Sequence, residues 1–338
     1  MSLIVIGGSG GTNIADALFK AAIALNFDAV HHNTSLAYKA PWWIRKINWH
    51  LRGKYPSNLI AFNQKVVQTC RNSQIKLLLT TGIAPISQLA LKQIGAMGIQ
   101  RLNFLTDDPW NSAHYAPWFF QTLSHYDIIF SPRRANLDDL LKVGCQRVQY
   151  LPFGYDPDLF YPEDYLNPMQ DEVVPDVVFA GGADNDRIAY MNLLIKAGIH
   201  LDLYGNYWEA YPETRSYTQG QADVQTLRRA IRRAKVALCL VRRANRDGHC
   251  MRSFEVPAVG ACMLTEDTQE HREIFGEEGQ AVIYFRTIPE MVEKTQWLLN
   301  HDAERQRLAQ SVYTLITQGQ HTYKDRLKTM LSLTEYLQ

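Results

Sequence analysis

The chain has 338 residues, enough for two domains, because single hydrophobic cores stop growing at roughly 250–300 residues. Hydrophobic residues make up 46% and the formal net charge is +1, which excludes a disordered chain and argues against a dedicated nucleic-acid binder. No apolar run approaches the ~20 residues that span a bilayer, and residues 1–6 lead into glycines without the features of a signal peptide. Five scattered cysteines (Cys70, Cys145, Cys239, Cys250, Cys262) form no C-x-x-C pair, so neither a zinc knuckle nor a disulfide framework is supported. A cytoplasmic setting is expected.

Short β-branched runs, small-residue turns and amphipathic stretches alternate, the pattern of a parallel α/β sheet. Leu3–Ile6 is the first predicted strand, turning at Gly7–Gly11 into a helix from Ile14 to Leu25. Further strands are predicted at 28–31, 76–80, 101–105, 127–130 and 148–151, with a helix through Ile94 and another over 134–142. From Pro152 to Pro175 the periodicity stops and prolines accumulate, the mark of an extended connector. It resumes with strands at 177–180 and 201–204 and helices near 187–196 and 224–234. Strands at 236–241, 263–265 and 281–285, a helix from 254 and a helical tail complete the chain. The expected organisation is an N-terminal domain over 1–155, a connector over 156–175, a C-terminal domain over 176–322, and a helix at 323–338 packing back on the first domain. Two similar halves place a cleft between the carboxyl ends of their sheets.

The first glycine turn departs from G-x-G-x-x-G, since Asn13 stands at the sixth position counted from Gly8, and it lacks the Lys-Ser or Lys-Thr of a P-loop. Gly10, Gly11 and Thr12 are therefore read either as a cleft-lining turn facing an anion or a substrate hydroxyl, or as a plain tight turn. The second turn, Gly181-Gly182, occupies the same place in the second half, and Arg187 follows it. Backbone amides with a guanidinium suit a diphosphate. Asp184-Asn185-Asp186 spells a metal signature, but acids just before a helix read as its N-cap, so no metal is expected. Asp247 to Gly260 sets two carboxylates, Asp247 and Glu255, around Arg252 ahead of a small-residue helix with Pro257 near its first turn. Carboxylates accept from vicinal sugar hydroxyls; a surface salt bridge between Arg252 and Glu255 is the plainer alternative.

From Val177 to about Leu299 the chain resembles the C-terminal domain of GT-B glycosyltransferases, nearest the CgeB-like (spore-maturation-type, glycosyl transferases group 1) family. The pieces are Phe179–Gly182, Leu203–Trp208, Arg252–Gly260, Met263–Thr265 and Thr287–Val292, with Phe104–Pro109 and Leu151–Pro157 upstream. The resemblance implies an α/β, GT-B fold of two Rossmann-like domains facing across a cleft. It implies a nucleotide-sugar donor, UDP- or GDP-linked, bound as substrate with no separate cofactor. Glu255 would lie at the donor ribose, Arg252 and Arg187 at its diphosphate over Gly181-Gly182, and Tyr204, Gly205, Asn206 and Trp208 near the base, with Ser253 also among the donor-binding residues. Asp247 falls at the first acid of a Glu-x7-Glu pair, one methylene shorter than in many retaining enzymes.

In the first half Asp107 and Asp108 follow a strand end and suit a general base, with turn capping before Pro109 as the alternative. His31, His32 and His114 stand next in line. The segment 41–55 mixes Trp42, Trp43 and Trp49 with cations, a pattern for stacking on sugars, for an anionic membrane surface, or for a packed sheet-edge cover. The expected function is metal-independent transfer of a sugar to a glycan, lipid-linked or protein hydroxyl, by retention, without nucleic acid and with a peripheral contact at the inner membrane face. The alternatives are a non-catalytic nucleotide or glycan binder and a nucleotide-sugar epimerase on the same fold.

Overall fold

The computed structural model describes residues 2–163 and 174–334. It divides into two units: Met1–Phe153 with Ala244–Asp247 and Tyr323–Gln338, and Gly154–Arg243 with Gly248–Thr322. Of the expected connector, residues 164–173 lie outside the described residues, as do 335–338 of the expected C-terminal helix.

The first unit runs β1 (Ser2–Gly7), α1 (Ile14–Ala24), β2 (Asp28–Asn33), α2 (Trp42–Leu51), α3 (Leu59–Asn72), β3 (Leu77–Thr81), α4 (Gln88–Ala96), β4 (Gln100–Phe104), α5 (Pro117–Leu123), β5 (Ile128–Ser131), α6 (Leu137–Lys142) and β6 (Val148–Tyr150). All its strands are parallel, in the order β2-β1-β3-β4-β5-β6. Parallel strands carry helices on both faces, which is why β1 is buried at every position and reads as an unbroken apolar run. Ile4 and Ile6 face a core with Phe62, Val66, Leu91, Ile94, Phe119 and Leu123 from α3, α4 and α5. Leu3 and Val5 point to the opposite face by strand alternation.

In the second unit β7 (Val177–Ala180), α7 (Asn185–Lys196), β8 (Leu201–Tyr204), β9 (Thr218–Gly220), α8 (Val224–Arg233), β10 (Val236–Cys239), α9 (Arg252–Ala258), β11 (Met263–Glu266), α10 (Gln269–Phe275), β12 (Ile283–Phe285), α11 (Ile288–Asn300) and α12 (Asp302–Gln318) follow. Its parallel sheet has the order β12-β11-β10-β7-β8-β9. Strand order therefore reverses at β1/β3 in one unit and at β7/β10 in the other, and ligands bind α/β sheets at the carboxyl ends beside such reversals. Asp184, Asp223, Thr268 and Thr287 each accept the backbone N–H three residues on, so four helices start where the sequence supplies a cap. The helix carrying Pro257 begins earlier than expected, at Arg252, because Ser253 and Glu255 donate to Cys250 and Met251 in its opening turn. Pro257 therefore sits inside α9 rather than near its start.

The last described helix, α13 (Tyr323–Ser332), packs on α1 within the first unit. Its Leu327 and Met330 are fully buried, and Arg326 Nε donates to the Phe153 carbonyl at 2.9 Å. Leu327→Ala should lower unfolding stability by about 2–5 kcal/mol, the usual cost of emptying a core site. Hydrogen exchange is the check: faster exchange is expected in α1 and β1 than in β7 to β12.

Candidate functional site

In the first unit a pocket of about 320 Å³ opens at the carboxyl ends of β1, β3 and β4. Gly82, one residue past β3, makes it possible. Its φ of +59° suits glycine, and a Cβ there would lie 2.8 Å from Asp107 Oδ2 and 2.9 Å from Thr106 Oγ1. Gly82 N–H donates to the Phe104 carbonyl at 2.8 Å and its own carbonyl accepts from Asn103 Nδ2 at 3.1 Å, so the two turns are tied together. The Asp107 carboxylate is 41% exposed and stands 4.0 Å from His114 Nε2. Tyr38, Trp49, Lys54 and Trp118 also line the pocket. Lys54 Nζ is fixed by the carbonyls of Ser112 (2.8 Å) and Tyr115 (3.0 Å), and Trp118 Nε1 donates to the Lys54 carbonyl.

Asp108 behaves differently from its neighbour. It is buried and held by Arg246 through two contacts, Nε to Oδ2 at 2.7 Å and Nη2 to Oδ1 at 3.0 Å. Trp110 N–H also donates to Asp108 Oδ1, so this carboxylate organises the turn and is not positioned as a base. Arg246 reaches on to Asp139, whose carboxyl its hydrogen bond holds below the usual range. The Asp247 side chain is likewise shielded, 5% exposed and paired with Arg133. Arg133 Nη1 donates to the Thr106 carbonyl at 2.9 Å, so Asp247 acts on the Asp107 turn through Arg133. Nothing in the sequence pattern singled out Arg133 or Arg246.

The N-terminal glycine turn is already occupied. Gly10 N–H donates to Asp16, Ser9 Oγ donates to the same carboxylate at 3.2 Å, and His31 Nδ1 lies 3.2 Å from it. A carboxylate from the first turn of α1 thus takes the place expected for a ligand anion. Gly10, Gly11, Thr12 and His31 do not line the pocket, whereas Gly8 and Asn13 do. His32 is buried against Thr69 and Phe62, and its pKa is lowered by burial. Trp42 lines a neighbouring groove with Arg45, Lys46 and His50, and Trp43 is exposed without lining either.

The second unit builds a tighter constellation beside β7. Three successive carbonyls are each taken by a side chain. Ala180 accepts from Arg252 Nε (3.4 Å), Gly181 from Trp208 Nε1 (2.8 Å) and Gly182 from Arg187 Nη1 (2.8 Å). The turn is pressed against its neighbour after β8, since a Cβ on Gly205 (φ +129°) would fall 2.5 Å from the Gly181 oxygen. Gly181 N–H donates to Tyr204 and Ala183 N–H to Asn206, while Gly182 N–H has no partner among the described residues. Arg252 forms an ion pair with Glu255 one turn along α9. Trp208 is fully buried against Phe179, which corrects its expected place at a base; Tyr207, 65% exposed, is the ring at this surface. Arg187 is mostly buried, stacked on Phe179 and clamping the turn, so it supports the loop instead of reaching a diphosphate. Asp184 is the N-cap of α7, accepting from Arg187 N–H at 3.0 Å. Among the described residues no group of three or more His, Cys, Asp or Glu is arranged to hold a metal ion.

Ser253 is structural. Its Oγ accepts from Cys250 N–H at 3.1 Å and lies 2.9 Å from His271 Nε2, with both residues fully buried. His271 Nδ1 lies 2.8 Å from the Glu266 carbonyl, which fixes that nitrogen as the protonated one and leaves Nε2 to accept from Ser253. Burial pushes the His271 pKa down to about 4.

Comparison with known proteins bears on the fold. Residues 189–332 match the model of a family described as glycosyl transferase-like. No curated protein matches. Among solved structures, sucrose-phosphate synthase of Thermosynechococcus elongatus is similar at 13% identity and TM-score 0.71, over 98% of each chain. Anabaena HepE, in complex with UDP, is similar at 12% identity and TM-score 0.63, over 98% of this chain and 99% of that one. A putative UDP-N-acetylglucosamine 2-epimerase from Listeria monocytogenes is similar at 14% identity and TM-score 0.57, over 98% of this chain and 95% of that one. The fold is therefore α/β of the GT-B class, with two Rossmann-like units.

His271 gives a pH signature for the second unit. Its folded pKa of about 4 lies below the ordinary 6.5, so the unfolded chain takes up the proton first. Stability from this group is full above pH 6.5 and should fall by about 2–3 kcal/mol as pH drops towards 4. Urea unfolding across that range is the measurement, and in His271→Gln this part of the slope should vanish.

Proposed function

We propose that the chain is a glycosyltransferase that moves a sugar from a nucleotide-sugar donor to a hydroxyl acceptor without a bound metal. The observation that carries this reading is the Arg252–Glu255 pair, itself within the residues that match the glycosyl transferase-like family, seated on the Ala180–Gly182 turn at a sheet switch point. On binding, the donor diphosphate would draw Arg252 from Glu255 and take the Gly182 N–H, and the freed carboxylate would accept from the ribose hydroxyls. Tyr207 offers a face to the base. The complexes of HepE with UDP and UDP-glucose support a UDP-linked donor over a GDP-linked one.

The acceptor belongs in the first unit's pocket, with Asp107 as general base and His114 beside it. Asp107 takes the hydroxyl proton, the acceptor oxygen bonds the anomeric carbon, and the nucleoside diphosphate leaves with the bond's electron pair. Arg252 and the Gly182 N–H stabilise that leaving charge, which makes a metal unnecessary. A one-step displacement of this kind inverts the anomeric centre; retention, which Asp247 and Glu255 at the paired acidic positions favour, would need attack on the face from which the diphosphate leaves, and the narrower CgeB-like placement rests on motif order.

Three measurements test the proposal. Arg252→Ala should weaken UDP binding roughly tenfold or more by calorimetry, since a charge-assisted contact is worth about 1.5–3 kcal/mol. Asp107→Asn should cut kcat on the order of 100-fold or more with donor affinity nearly unchanged, because a base acting on the acceptor need not touch the donor. Chelator treatment should leave transfer intact; loss in EDTA restored by manganese would make the Asp184–Asp186 acids ligands after all. Turnover of the nucleotide sugar with no acceptor present would favour the epimerase reading, to which the Listeria neighbour lends its fold.

A further inference from the structure

Helix α2 is unusual for a soluble surface. It buries only Asn48, while Trp42, Trp43, Ile47, Trp49 and Leu51 are all exposed, Leu51 by 80%. Trp43, Ile47 and Leu51 fall four residues apart and make one apolar stripe along the helix. Exposed cations flank them: Lys39, Arg45, Lys46 and Arg52. The charge pattern extends well beyond the helix. Between Asp28 and Asp107 the sequence holds no Asp or Glu but ten Lys and Arg, in a chain whose net charge is +1, leaving −9 on the remainder.

We propose that α2 and the basic surface around it dock on an anionic lipid bilayer. Indole rings settle at the headgroup level, aliphatic side chains enter the acyl boundary, and lysines and arginines stay at the phosphates. A glycan-stacking surface would explain the tryptophans but not Ile47 and Leu51, which present no polar group to a sugar. Exposed cations on and beside the apolar stripe, Lys39, Arg45, Lys46 and Arg52, suit an extended anionic surface better than one compact ligand. The docking element also adjoins the pocket of the first unit: Tyr38, Trp49 and Lys54 line both that pocket and the groove along α2. A hydroxyl acceptor carried on a lipid would then be presented where Asp107 stands. That last step rests on the proposed transfer reaction, whereas membrane docking does not.

The test is co-sedimentation of the full chain with vesicles of phosphatidylcholine alone and of phosphatidylcholine with phosphatidylglycerol, read together with tryptophan fluorescence. Binding is expected on the anionic vesicles only, with a blue shift, and should fall as salt shortens the screening length. Arg45→Ala and Lys46→Ala should each weaken partitioning roughly fivefold, the effect of one cation near such a surface. Leu51→Asp should weaken it by about tenfold or more. Leu141→Asp, at an exposed aliphatic position of α6, should bind like the parent and controls for loss of fold. Equal binding to neutral vesicles, or anionic binding that ignores the α2 substitutions, overturns the proposal. So does a tryptophan response to soluble oligosaccharides without vesicle binding, which would make α2 a glycan subsite. Because vesicle binding is measured without donor or acceptor, loss of transfer activity alone leaves this inference standing.

Discussion

Two backbone turns touch where β7 and β8 end, and they do so because residue 205 has no side chain. The Gly181 oxygen lies only 2.5 Å from where a Cβ on Gly205 would have to be. That contact holds the first turn so that its three carbonyls face Arg252, Trp208 and Arg187, while its Gly182 N–H has no partner among the described residues. Satisfying carbonyls with side chains rather than water fixes the turn before any ligand arrives, which is what electrostatic preorganisation requires. Arg252 joins this turn to the carboxylate of Glu255, so one guanidinium connects backbone geometry with charge.

The first unit reaches a comparable result by burying charge. Asp108 with Arg246 and Asp247 with Arg133 frame the Thr106–Asp108 turn from both sides. Both carboxylates and Arg133 are buried while Arg246 is 37% exposed; such pairs add little stability because desolvation offsets their attraction, but a buried carboxylate that loses its partner is costly. Their value here is positional. Arg133 also holds the Thr106 carbonyl, and Gly82 leaves just enough room for the Asp107 carboxylate.

Sequence periodicity located most strands because parallel strands buried on both faces must be apolar runs, as β1, β7 and β10 are. The second glycine turn and the Asp184 cap were legible for the same reason: each has a fixed place relative to a strand end. Helices α2, α3, α5 and α10 and the three-residue β9 were not. Helix α2 turns apolar residues outward, against the rule by which buried faces are read, and β9 is too short to show alternation. Among site residues the failures share one cause. Trp208, Arg187 and Ser253 have the right chemistry for a ligand, but the chain uses their polar atoms internally, and only coordinates reveal which way a side chain is spent. Asp16 is the converse case, an unremarked acid that fills a glycine turn meant in other proteins for an anion.

The pairing of α1 with α13 has a consequence for biosynthesis. A ribosome delivers α1 early and α13 only after all of β7 to α12 has emerged. The turn carrying Arg246 and Asp247, which completes the Asp107 neighbourhood, is also translated after β7 to β10. The first unit to begin synthesis is thus the last to finish folding, and it spends that interval with the apolar face of α1 uncovered. Chaperone dependence should concentrate in this nascent stage, because exposed apolar surface on an incomplete domain is what aggregation and holdase binding both recognise.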